Sequence, residues 1–302
     1  MRLWSVQVVG PTQSAVANLL AGLDYIFQHT DQISVVNASL GVRDHNAPAA
    51  AIHQAVSNIV NQGVVFIASA GNETADISGD LLWGTDDDLL PAAFAEAVAV
   101  GAMNPTNDTS WTRSNFSLIP HDPAFVTSPG AAIDVAAPGV NIFSTYKGSS
   151  YTNMTGTSMA SPHVAGLVAL YIAANGRATN AAGVYKIRQA IVDNSLAQSQ
   201  WSSFPNTGDP DGNPEPLAMP SENWVPTPQI VSQSQTPGGF EFSFPTVPGY
   251  RYTAQYQDSL SMSNDWTDLA STNGTGSLTT VTLSDPTPST TRFYRLQRQP
   301  AP

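Results

Sequence analysis

The sequence predicts an α/β domain with a mostly parallel sheet, followed by a small all-β domain. Two observations carry the first half. Apolar strand-like runs alternate with segments of helical period up to about residue 200, and those strands end in glycine-containing turns. One observation carries the second half: beyond residue 229, aromatic residues recur at every second position between turn residues.

The elements follow in order. Leu3 to Val9 reads as a buried strand closed by Gly10-Pro11. Val16, Leu19, Leu20, Leu23, Ile26 and Phe27 share one helical face. Ile33 to Leu40 is a second strand, ending at Gly41. Ile52, Val56, Ile59 and Val60 form the apolar face of a helix that starts near Pro48 and stops at Gly63. Val64 to Ala68 is a third strand, ending in Ser69-Ala70-Gly71-Asn72, and Ala97 to Gly101 a fourth. Met159, Val164, Leu167, Val168 and Leu170 mark another buried helix, and Val184 to Val192 a last amphipathic one. Such alternation implies helices on both faces of the sheet, with ligands gathering at the carboxyl ends of the strands.

Residues 202–228 are rich in Pro, Ser, Asn, Asp and Gly, a linker composition. Beyond them, Phe240, Phe242 and Phe244 alternate, as do Tyr250, Tyr252 and Tyr256, with further short strands at Leu278 to Leu283 and Phe293 to Leu296. A sandwich of the fibronectin type III or immunoglobulin-like kind is expected. The domains are therefore placed at 1–200 and 229–302, joined by a linker over 201–228.

Composition narrows the function classes. The chain has 302 residues, a net charge of −12 and a pI near 4.5, a balance unsuited to nucleic acid or anionic membrane. It has no cysteine, which excludes disulfides and thiolate metal sites. No apolar run approaches the roughly 18 residues of a membrane span. Residues 1–10 lack the pattern of a signal peptide and read as the middle of a domain. Six N-x-[ST] sequons mean little without a secretory context.

Residues 155–166 read T-G-T-S-M-A-S-P-H-V-A-G. Gly156 gives backbone freedom, and Ser158 then sits at a helix N-terminus, where free N–H groups favour negative charge. A serine there is either a plain N-cap or a nucleophile whose own N–H serves a nascent oxyanion. The string Gly156 to Gly166 resembles, without a gap, the nucleophile motif of the subtilisin-like serine proteases. Two further blocks come in the order of that family. A-G-N-E at Ala70 to Glu73 resembles its oxyanion segment, which implies Asn72 as the side-chain donor. Ser39-Leu40-Gly41 resembles its substrate-pairing segment, with Ala70-Gly71 as another wall of the specificity pocket. D-V-A-A-P-G, from Asp134 to Gly139, also matches and reads as structural.

The resemblance spans about Leu3 to Ser195 and implies a serine endopeptidase acting on protein or peptide substrates, outside the cell by family habit. It also exposes a gap. The family's D-[ST]-G and H-G-T blocks, which carry the catalytic Asp and His, are absent, so the subtilisin-like sheet is expected to be truncated at its N-terminus. His29, His45, His53, His121 and His163 are all poorly placed to act as the base. Negligible hydrolysis by residues 1–302 alone is expected. The alternatives are an inactive remnant that binds extended peptides, and a C-terminal module that binds a surface or glycan. No metal site is assigned, although Asp86-Asp87-Asp88 and D-P-D-G-N-P-E (Asp209 to Glu215) gather oxygen ligands suited to calcium, which the family often binds. A solvated acidic turn is the plainer reading of both.

Overall fold

A computed structural model describes residues 2–9, 15–43, 49–77, 88–117, 133–221, 230–246, 250–258, 266–274, 279–289 and 291–300. The chain divides into two units, Met1–Trp224 and Val225–Pro302. In the first, α1 (Ala15–Gln28), β1 (Val35–Ala38), β2 (Val42–Arg43), α2 (Ala49–Asn61), β3 (Val65–Ser69), β4 (Leu89–Leu90), β5 (Ala97–Asn104) and β6 (Thr109–Ser110) come first. They are followed by β7 (Val135–Pro138), β8 (Ile142–Tyr146), β9 (Ser150–Met154), α3 (Thr157–Asn175) and α4 (Ala181–Asp193).

β1, β3, β5 and β7 pair in parallel, with Ala38 opposite Ala68, Ile67 opposite Val98 and Val100 opposite Val135. All five residues of β3 are buried. Successive strand residues point to opposite faces, so both faces of this sheet are covered. α2 packs on β3, and α1 packs on α2.

α3 lies against all four parallel strands. At 19 residues it is long and apolar enough on average to cross a membrane. The sequence hides that average because Ser158, Ser161 and His163 interrupt the apolar run. Thr157, Ala160, Ser161, Val164 and Val168 are buried against the sheet, whereas Met159 and Leu167 are half-buried and Leu170, expected on the buried face, is exposed.

Three expectations change. Leu3 to Val9 is not a buried strand. It runs extended but joins no ladder, and Leu3 and Val9 are 88% and 66% exposed. Val6 and Val8 alone of this run are half-buried, and Gly22 on α1, lacking a Cβ, leaves room for them. A strand is held by its neighbour's backbone, and among the described residues none pairs with this one. Among the described residues β1 likewise bonds only to β3.

The β8–β9 hairpin is an element the sequence pattern does not reveal. The third change concerns residues 201–221, expected as linker, which continue the first unit. Trp201 is buried beside Met103 and Ala136, and Leu217 bridges to both Ala136 and Leu196.

The second unit is a sandwich of two three-stranded antiparallel sheets. One holds β10 (Ser232–Thr236), β11 (Gly239–Thr246) and β14 (Thr279–Asp285); the other holds β12 (Tyr250–Gln257), β13 (Thr267–Asn273) and β15 (Phe293–Pro300). Phe242, Phe244, Tyr252 and Ala254 form its core, as the alternation predicts. Arg292 ties its rim, bonding Asp258 and the buried Asp285, while the Tyr294 hydroxyl donates to Asp285 Oδ2 at 2.8 Å.

Candidate active site

Three segments picked from the sequence meet at one end of the sheet. Ser39-Leu40-Gly41 follows β1, and Ala70-Gly71-Asn72 follows β3. The parallel register of β1 and β3 makes these turns leave side by side. α3 begins at the same place: Ser39 Oγ donates to the Ser158 carbonyl at 2.9 Å and lies 2.9 Å from Ser161 Oγ. Ala70 is fully buried, Ser39, Leu40, Gly71, Asn72 and Ser158 are half-buried, and Gly41 is exposed.

The start of α3 is capped from the turn that follows β3. Asn72 Oδ1 accepts the Thr157 N–H at 2.9 Å and the Thr157 hydroxyl at 3.1 Å. A backbone N–H only donates, so the carboxamide must turn its oxygen to the helix and its amino group outward. Ser158 N–H lies in the first helical turn, where no intrahelical acceptor exists. Among the described residues neither Asn72 Nδ2 nor Ser158 N–H has a hydrogen-bond partner. Two adjacent donors therefore open onto the same site. Gly156 permits the approach: a Cβ there would lie 3.2 Å from Asn72 Oδ1.

The turn bearing Asn72 is braced from behind. Asn115 Oδ1 accepts the Glu73 N–H at 2.8 Å and the Ala75 N–H at 3.1 Å, and its Nδ2 donates to Glu73 Oε2 at 2.8 Å. The Asn72 N–H donates to that same carboxylate oxygen at 2.9 Å. Thr157, Asn115 and Ser161 thus position the site, although sequence reasoning singles out none of them. Thr157 lies inside the quoted motif, whereas Asn115 gives no local signal.

The Ser158 hydroxyl donates to the Ser39 carbonyl at 3.3 Å, not to an imidazole. His163 Nδ1 donates to the Met159 carbonyl of its own helix, and His29 Nδ1 to the Tyr25 carbonyl. His53 pairs with Glu96 at 3.0 Å. His45 and His121 lie outside the described residues, as do Asp86 and Asp87. Among the described residues, then, nothing withdraws the Ser158 proton.

Asp134 is structural, as expected. It is fully buried, takes Arg188 Nε at 2.6 Å and accepts the Ala99 N–H at 2.8 Å. This pair bolts α4 to the sheet.

The Peptidase_S8 family model, described as the subtilase family, matches residues 1–220. The chain belongs to the subtilase family. It is 37% identical to Subtilisin Savinase of Lederbergia lenta over 169 residues, 56% of this chain and 52% of that protein. It is 33% identical to Subtilisin-like protease 2 of Pseudogymnoascus destructans over 196 residues, 64% of this chain and 42% of that one. Among solved structures it resembles a cold adapted subtilisin-like serine proteinase, with 26% identity and a TM-score of 0.50 over 68% of this chain and 62% of that one. The fold of the first unit is thus the subtilisin-like α/β fold. The chain spans about half or less of the length of these curated relatives.

Proposed function

We propose that this chain carries the nucleophile and oxyanion portion of a subtilisin-type serine endopeptidase. The supporting observation is the pair of open donors, Asn72 Nδ2 and Ser158 N–H, next to a half-buried serine hydroxyl. Ser158 Oγ attacks the scissile carbonyl, and the oxygen that becomes negative is received by both donors. The tetrahedral adduct collapses with cleavage of the peptide C–N bond: the amine leaves carrying the proton that the base took from Ser158 Oγ, and water then hydrolyses the acyl-enzyme to the free acid and Ser158. An extended peptide aligns along Ser39-Leu40-Gly41 by backbone pairing, with Ala70-Gly71 walling the side-chain pocket. The base, a His oriented by an Asp, comes from outside the described residues. The substrates are proteins or peptides, and the site of action is outside the cell.

Chromogenic-peptide turnover tests the assignment. Residues 1–302 alone are expected to hydrolyse negligibly. Co-folding with a polypeptide carrying D-[ST]-G and H-G-T blocks is expected to restore turnover, and Ser158→Ala to abolish it. Restored turnover that survives Ser158→Ala refutes the role of Ser158.

A second reading, peptide binding without turnover, is favoured by the Ser158 hydroxyl bonding a backbone carbonyl. Ser158-dependent hydrolysis by residues 1–302 alone would eliminate it. For residues 229–302 we propose attachment to a surface, glycan or partner, tested by binding of whole cells and polysaccharides to the chain with and without them.

A further inference from the structure

In the second unit, the sheet of β12, β13 and β15 has two faces of different chemistry. Tyr252, Ala254, Tyr294 and Leu296 point into the sandwich core. Strand alternation turns the residues between them outward. On that outer face Arg251, Ser271, Gln297 and Gln299 are exposed. The three strands hold no Lys and no Glu, residues that usually cover a solvated surface. Amides and hydroxyls stand there instead.

The middle of this face is held rigid. Gln255 is buried although it points away from the core. Its Oε1 accepts from Arg295 Nε at 2.7 Å, and its Nε2 donates to Asp268 Oδ1 at 2.7 Å. The Arg295 guanidinium also lies over the Trp266 ring, 4.4 Å from its centroid. Among the described residues Asp268 Oδ2 and the Arg295 Nη groups make no hydrogen bond. An anionic acceptor and a fork of donors are thus fixed on either side of Gln255 and left open. Phe293, two residues before Arg295 on the same face, is 39% exposed.

We propose that this outer face binds a neutral polysaccharide whose sugars carry neighbouring hydroxyls. One hydroxyl donates to Asp268 Oδ2, and the oxygen of the next accepts from Arg295. Phe293 offers its π-face to the C–H groups of a sugar ring. Gln297 and Gln299 each supply a donor and an acceptor, as hydroxyls require. Phe293 to Gln299 covers roughly 20 Å of extended strand, length for several sugars. Charge argues against a polyanion: Arg251 and Arg295 stand beside Asp268, on a chain of net charge −12. Among the described residues Phe293 is the one large apolar side chain exposed on this face, too little for the centre of a protein interface. The proposal rests on the attachment reading of residues 229–302 and narrows it to one face and one ligand class.

Retardation of the full chain in native gels containing glucomannan, xylan or dextran tests it, with alginate as the anionic comparison. The neutral polymers are expected to retard the chain and alginate to leave it unretarded. Glucomannan whose neighbouring hydroxyl pairs have been cleaved by periodate and then reduced by borohydride should lose the effect. Asp268→Ala should weaken binding roughly tenfold to a hundredfold, the loss of a hydrogen bond to a charged group. Phe293→Ala should weaken it roughly three- to tenfold. Both positions are exposed, so both variants should unfold within a few degrees of the parent. Retardation by alginate as strong as by glucomannan, or binding unchanged in the Asp268→Ala, Phe293→Ala double variant, overturns the proposal. Whole cells that bind through residues 229–302 while no neutral polymer retards the chain overturn it too, and leave attachment itself standing. If neither cells nor polymers bind, both readings fall.

Discussion

Replacing Thr157 by valine isolates the link between the helix start and Asn72. The Thr157 side chain is fully buried. Its hydroxyl accepts the Gly71 N–H at 3.0 Å and reaches Asn72 Oδ1 at 3.1 Å and the Gly71 carbonyl at 3.2 Å. Valine keeps the shape and leaves the Gly71 N–H without its acceptor, a loss of about 1–3 kcal/mol. Asn72 Oδ1 keeps the Thr157 N–H and adds little further. Thr157→Ser is the control, because it keeps the hydroxyl and loses one methyl, about 0.5–1.5 kcal/mol. Equilibrium urea unfolding of both variants is the assay. Valine should be the more destabilising. A valine variant within about 0.5 kcal/mol of the parent, or a serine variant worse than valine, would refute the hydrogen-bonded role. In a complemented protease, valine should lower kcat with little change in KM, because a loosened Asn72 is missed in the transition state.

Arg188→Met should cost about 3–5 kcal/mol by stranding the buried Asp134, and adding Asp134→Asn should recover part of it in a double-mutant cycle read by urea unfolding. Phe242→Ala, in the core of the second unit, should cost about 3–5 kcal/mol, read as an earlier transition of that unit's tryptophan and tyrosine signals. The His53–Glu96 pair predicts a pH window. The Glu96 hydrogen bond holds His53 above its usual 6.5, while for Glu96 burial pushes upward and the His53 hydrogen bond and charge overcome it, leaving the carboxyl below 4.5. The pair therefore contributes most between 4.5 and 6.5, fading as His53 loses its proton above or Glu96 gains one below. Half-exposed, it contributes at most about 1 kcal/mol, so Tm differences between the parent and His53→Gln should peak in that window and shrink at higher pH.

Period and punctuation make most elements legible from the residues alone. The helix faces at Ile52, Val56 and Ile59 and the alternation at Phe242 and Phe244 are local patterns, and burial follows them. Leu3 to Val9 shows where that logic ends: its residues have strand character, but a strand also requires another chain segment beside it. The linker reading of 201–221 fails for the converse reason. Trp201 and Leu217 are isolated apolar residues in a polar stretch, and only the fold brings Ala136 to meet them. The site follows the same division. Ser158, Asn72 and Ser39 lie in short contiguous motifs and come together as expected. Asn115 braces Glu73, the neighbour of Asn72, across 42 residues of chain, a relation no local pattern records.

The cap on α3 is borrowed from the turn after β3, and this affects how the molecule is made. Until β3 has docked, the helix lacks its first anchor and the amide has nothing to hold it outward. A half-folded chain would therefore present neither feature, and the two open donors come to face one site only once the interior has set.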